Sequence, residues 1–154
     1  ERARASKQWG CTAIGASFHD RLTARMAIRS ELLDISYVRY NAGHPGAEED
    51  LFPHLPRPRQ GLVYNFLSTK GFVPEPEFRK LQLSPEYPMP PIQDGYRFAL
   101  SRPELDGLLV APQTPAQLAE LIAALKRGPL PASRIKYMKD IWLLSTGQAT
   151  LEQE

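Results

Sequence analysis

The side chains best equipped for chemistry in this 154-residue chain are few: histidines at 19, 44 and 54, one cysteine, and short runs where a polar group stands beside a turn. His19 and Asp20 have the residue types of a base and its orienting acid, yet neighbours in a loop point apart, and proton transfer needs groups within hydrogen-bond reach. His44-Pro45-Gly46 has the composition of a turn. Ser17, closing a short apolar run, reads either as a helix cap or as a ligand contact. Cys11 opens that run and reads as a small core hydrophobe. A lone thiol excludes an intramolecular disulfide framework and any zinc or iron–sulfur site built from several thiolates. A reducing, cytoplasmic setting is therefore expected.

The elements that must position these groups follow from period and punctuation. Cys11 to Ser17 reads as a buried strand, and from Asp20 the spacing of Leu22, Met26 and Ile28 or Arg29 predicts a helix whose wet face carries arginines 21, 25 and 29. Asp34 to Tyr40 is β-branched and aromatic and reads as a second strand, stopped by the turn cluster Asn41-Ala-Gly-His-Pro-Gly. Ala47 to His54, with acids at 48, 49 and 50, suits a short helix limited by Pro53. Gly61 to Leu67 reads as a third strand. Six of the 15 prolines fall at 74, 76, 85, 88, 90 and 91, so Phe72 to Asp94 reads as a long loop, either functional or a cover over apolar surface. Tyr96 to Arg102 reads as helix, Gly107 to Ala111 as a fourth strand and Pro115 to Lys126 as an amphipathic helix capped by Thr114. Ser133 to Leu144 makes a last helix. Strand and helix alternate four times, the pattern of a parallel sheet with crossover helices.

Composition bounds the partners. The residues are 42% hydrophobic, which suits one domain, and 19 Lys plus Arg against 17 Asp plus Glu leave a net charge of +2 with both signs mixed along the chain. That balance gives no electrostatic reason for a nucleic acid or an anionic membrane as partner. The apolar runs fall far short of the roughly 20 residues that span a bilayer. The first residues, Glu-Arg-Ala-Arg-Ala-Ser-Lys-Gln, show no initiating Met and no apolar signal core, and suggest a fragment.

Three stretches in order resemble the C-terminal half of the aldo/keto reductases: Ala13-Ile-Gly-Ala-Ser-Phe-His-Asp20, Val38-Arg-Tyr-Asn-Ala-Gly-His-Pro-Gly-Ala-Glu-Glu-Asp-Leu-Phe-Pro-His-Leu55, and Phe98 through Leu118 around Leu105-Asp-Gly-Leu-Leu-Val-Ala-Pro. The resemblance covers about residues 1 to 145 and leaves 146 to 154 as a tail. It implies an α/β fold, half of a (β/α)8 barrel with four parallel βα units and a C-terminal helix, whose site lies at the C-terminal ends of the strands. The family's acid–base tetrad of Asp, Tyr, Lys and His belongs to the other half, so no catalytic residue is assigned here.

The resemblance places NAD(P)H contacts at Ser17, Arg39, Asn41, Lys70, Gln113 and Gln117. Phe18 stands where the family has the Asn of its nicotinamide-binding pair. Arg39 replaces a Gln and either faces the barrel mouth or pairs with Glu48 or Asp50. Asn65 aligns with the Tyr that stacks on the nicotinamide, with Tyr64 or Phe66 one step away. Gln113 and Gln117 align with the cations for the 2′-phosphate, and losing both removes charge-assisted bonds worth about 1.5–3 kcal/mol each. Lys70 and the amides at the start of the Pro115 helix remain a diphosphate cradle. Half a barrel has two open edges, so the expected partners are the missing N-terminal half or a second copy. The functions implied are a carbonyl-reducing oxidoreductase that is active only with the tetrad-bearing half, or a non-catalytic scaffold derived from one.

Overall fold

A computed structural model describes residues 8–66, 68, 69 and 73–148. Strand β1 (Gly15–Phe18) leads to helix α1 (Arg21–Arg29), β2 (Ile35–Arg39) to the single turn α2 (Ala47–Asp50) and a 3-10 turn at Phe52–His54, and β3 (Leu62–Phe66) to α3 (Glu75–Lys80) and α4 (Gln93–Leu100). The two-residue β4 (Gly107–Leu108) precedes α5 (Pro115–Lys126) and α6 (Ala132–Ser145). All strand pairs are parallel, in the order β1-β2-β3-β4. The four-fold βα alternation read from the sequence is the architecture found. Among the described residues, no helix is long and apolar enough to cross a membrane.

Several boundaries differ from the sequence reading, among them the start of the fourth helix, which lies at Gln93 instead of Tyr96. The first strand begins at Gly15, and Cys11 is exposed rather than a core residue; a strand at the sheet's edge gives the residues before it no second neighbour to pack on. The Ala47 to His54 helix breaks at Leu51 into α2 and the 3-10 turn, because Pro53 offers no amide. The stretch read as loop contains α3: Pro74 takes the N-cap position and Pro76 the first turn, where a missing N–H is harmless. Finally, β4 is shortened to two residues.

Alternation along the strands splits the sheet into two faces. On the outer face Ser36, Val38, Val63 and Asn65 are buried beneath the helices. This face joins the core around Tyr40, whose ring meets Phe52 edge-on and Phe98 in a stack, each at 5.2 Å between centroids. Ala24 and Ile28 turn α1 toward that core. Polar pins hold the layers: Asp94 pairs with Arg97 and Arg134, Glu48 bridges Tyr40 and Lys139, and Asp106 accepts from Arg59 and from the Val63 amide. On the inner face the register aligns two rows, Gly15–Ile35–Leu62 and Ser17–Tyr37–Tyr64–Gly107. No described element covers those rows, and Leu62 and the neighbouring Leu109 are 42% and 55% exposed.

Candidate functional site

The uncovered face forms a cleft of about 1060 Å³ that runs from Ala13, Gly15 and Ile35 at the strand starts to Phe66, Ser68 and Thr69 at and beyond the C-terminal end of β3. Ser17, Tyr37 and Phe66 line it from β1, β2 and β3, with Ser68 and Thr69 following β3 and Tyr96 reaching in from α4. Leu109, Val110 and Ala111 form the wall beyond β4. The ring of His19 stands edge-on to Phe66 at 5.2 Å and fixes its orientation. None of the described lining side chains is a carboxylate, a cation or an imidazole, so among the described residues the cleft lining holds no acid–base pair.

The expected site residues separate into three groups. Ser17 lines the cleft and caps nothing; the cap of α1 is Asp20, whose Oδ1 accepts from the Thr23 amide at 2.7 Å, and hydrogen bonds from the Thr23 side chain and then from its amide pull the Asp20 pKa down. His19 and Asp20 therefore have separate jobs. Arg39, half-buried on the inner-face register of β2 beside Phe66, pairs with neither proposed acid, because Glu48 binds Lys139 and Tyr40 while Asp50 binds Arg21. Its charge acts instead on His44, whose pKa is lowered first by burial and then by Arg39 and Arg21.

Asn41 is fully buried and shapes its turn: its Oδ1 accepts from the Gly43 amide at 3.1 Å and lies 3.2 Å from His44 Nδ1. It is not among the residues that line the cleft. Asn65 is buried too, accepting the Tyr40 amide at 2.7 Å and donating to Ser68 Oγ at 3.0 Å. Phe66, one residue on, is the aromatic that reaches the cleft, and Asn65 positions Ser68 beside it. Lys70 lies outside the described residues.

Gln113 and Gln117 bind each other. The Gln113 amide donates to Gln117 Oε1 at 2.7 Å, and the Gln117 amide donates to Thr114 Oγ1 at 3.2 Å. The Leu118 amide donates to Thr114 O and Pro115 has none, so the first turn of α5 has most of its donors engaged. The diphosphate cradle expected there is thus weakened by the helix's own cap. No Lys or Arg occurs between Arg102 and Lys126. The nicotinamide end, with Ser17, Phe66 and Ser68, fits an amide-bearing ring; the α5 end does not fit a 2′-phosphate.

Tyr37, Ser68, Thr69 and Tyr96 were not anticipated as lining residues. For Tyr37 the alternation of β2 was the available signal, since it shares a face with Ile35. Ser68 and Tyr96 depend on contacts across the fold that spacing does not carry. Among the described residues no group of three His, Cys, Asp or Glu could hold a metal.

No family model and no curated protein sequence matches the chain. Its fold, however, matches that of a solved thermostable aldo-keto reductase, Tm1743, crystallised with the inhibitor epalrestat: TM-score 0.61 at 19% identity, covering 91% of this chain and 52% of that one. The four parallel βα units thus correspond to half of an aldo-keto reductase (β/α)8 barrel. The chain spans about half the length of that protein.

Proposed function

We propose that this chain is the C-terminal, nucleotide-binding half of an aldo/keto-reductase-like oxidoreductase, reducing carbonyls with NAD(P)H only when a half bearing the Asp-Tyr-Lys-His tetrad completes the barrel. The observation that carries it is the inner-face cleft, which reaches the C-terminal ends of the parallel strands at Ser17, Phe66 and Ser68, in a fold whose solved counterpart is an aldo-keto reductase. Phe66 would stack on the nicotinamide and Ser17 and Ser68 would bond its amide, and the chemistry such a cofactor would supply when bound is a hydride. The lack of cations at the start of α5 favours NADH over NADPH.

Titration of the folded chain with NADH and with NADPH, followed by fluorescence and calorimetry, tests this reading. Saturable NADH binding that is lost in Phe66→Ala is the expected result; no binding tighter than about 1 mM, or −4.1 kcal/mol, overturns it. That negative result would support the second reading, a non-catalytic scaffold, which the engaged donors of α5 and the buried Asn41 favour.

A further inference from the structure

We infer that Asn65 commits Ser68 to the role of hydrogen-bond donor, so that the cleft selects ring ligands that present a carbonyl oxygen beside Phe66. The bonds that carry this start in the backbone. The Tyr40 amide donates to Asn65 Oδ1 at 2.7 Å, and since an N–H only donates, this settles which end of the buried carboxamide is oxygen. The Asn65 nitrogen therefore faces the other way and donates to Ser68 Oγ at 3.0 Å. A hydroxyl that accepts through its oxygen still has its own proton to place. Among the described residues, Ser68 donates it to none. Ser68 is 5% exposed and lines the cleft, so the cleft is where that proton is offered.

The hydroxyl is held in place as firmly as its direction is set. Asn65 sits in β3 with no exposed surface and is bonded across to the residue that follows β2. From the other side α4 supports the loop at a glycine: a Cβ on Gly95 would lie 3.2 Å from Ser68 O and 3.5 Å from Thr69 Cα, so a larger residue there would push the loop outward. Ser17, Tyr37, Thr69 and Tyr96 also bring hydroxyls to the cleft, but none of these makes a side-chain hydrogen bond among the described residues, and each is free to give or to take one. One fixed donor among adaptable hydroxyls makes acceptor strength at that point the property by which ligands are told apart. A buried donor left without an acceptor costs more than its bond gains, which is how a polar site rejects a near-identical ligand.

The Phe66 ring belongs to the same lining, two residues before Ser68, so the oxygen is that of a substituent on a ring packed against Phe66. Taking that ring as a nicotinamide rests on the function proposed above. The probes are NADH, its thionicotinamide analogue, in which sulfur replaces the carboxamide oxygen, and its reduced acetylpyridine analogue, which keeps the oxygen and loses the amide nitrogen.

Dissociation constants on the full chain are read by fluorescence and calorimetry. The thioamide should bind about two- to tenfold more weakly than NADH, the worth of one neutral hydrogen bond. In Ser68→Ala that penalty should vanish, while the acetyl analogue keeps its wild-type affinity relative to NADH. Asn65→Asp preserves the volume and the bond from Tyr40 but turns the atom facing Ser68 into an acceptor. Read at roughly pH 8.5, where a carboxylate that accepts two hydrogen bonds is ionised, it draws the Ser68 proton away from the cleft and should abolish the penalty as well. Should Asn65→Asp lose the wild-type circular dichroism, Ser68→Ala decides alone. No binding of NADH overturns the proposed function and this inference with it. Binding of NADH with no thioamide penalty, or with one that survives in either folded variant, overturns this inference alone. So does a Ser68-dependent penalty on the acetyl analogue, which would make Ser68 the acceptor of the amide N–H.

Discussion

The two faces of the sheet are built from the same strands with the same alternation, yet one is a finished core and the other an open wall. On the outer face Val38, Val63, Tyr40 and Phe98 are almost wholly withdrawn from water, whereas on the inner face Leu62 and Leu109 remain about half open. Strand propensity is equal on both sides, so the difference comes from what the helices supply. They cover one face only, with Phe52 and Phe98 clasping Tyr40 and with the Glu48–Lys139 and Asp94–Arg134 pairs tying helix to helix. The single chain is thus stabilised from the packed side, and the open side is free to bind.

The largest effect should come from the packed face. Phe98→Ala removes a fully buried ring from the Tyr40 cluster and should cost about 3–5 kcal/mol, read as a fall in the denaturation midpoint that does not depend on protein concentration. A loss under about 1 kcal/mol would mean that the core does not hold the fold.

Acid should find the same asymmetry, because the packed side holds the shifted carboxylate and imidazole while the cleft lining holds neither. Burial alone would raise the Glu48 pKa, but hydrogen bonds from Lys139 and Tyr40 outweigh it and leave the group below its ordinary 4.5. A depressed carboxylate adds stability above its unfolded pKa and loses it as pH falls through the folded one. His44 is lowered from 6.5, chiefly by burial, so the unfolded chain takes up the imidazole proton first and stability declines as pH falls below 6.5. Both signs agree. Stability should be greatest near neutrality, fall first below 6.5 and again below 4.5. Denaturant midpoints across roughly pH 2 to 8 check this: His44→Gln should flatten the upper limb and Glu48→Gln the lower, and unchanged slopes would refute the assignment.

How much of this was legible in the sequence varied with the range of the interactions. Helix α5 was read with its true ends because Thr114, Pro115 and the apolar period are all local signals. Strand β1 was overextended because Ala13-Ile-Gly-Ala-Ser contains no alternation to mark which residues pack. Helix α3 was hidden by its own prolines, although both occupy positions a helix start accepts. At the candidate site, Ser17 was found from a local resemblance. The turn bonds of Asn41 to Gly43 and His44 were not legible because they depend on the local fold, and Arg39 could not be settled because its two possible acids are claimed by Lys139 and Arg21, partners that no spacing rule connects to it.

The smallest predicted effect lies at the join between the faces, where β4 hands over to α5. Thr114 Oγ1 accepts from the Gln117 amide and Gln117 Oε1 from the Gln113 amide, a reciprocal pair on exposed ground. Thr114→Ala should therefore cost about 0.5–2 kcal/mol, while Gln117→Ala, whose bond competes with water, should cost at most a few tenths of a kcal/mol. The order of the two carries the argument. If the cap holds the start of α5, Thr114→Ala lowers the midpoint more and speeds hydrogen exchange at the Gln117 and Leu118 amides, with Phe98 and its neighbours unaffected. Equal losses in the two variants would mean that α5 is held by Leu121 and Ala124 packing alone, and that its first-turn amides are free for a ligand after all.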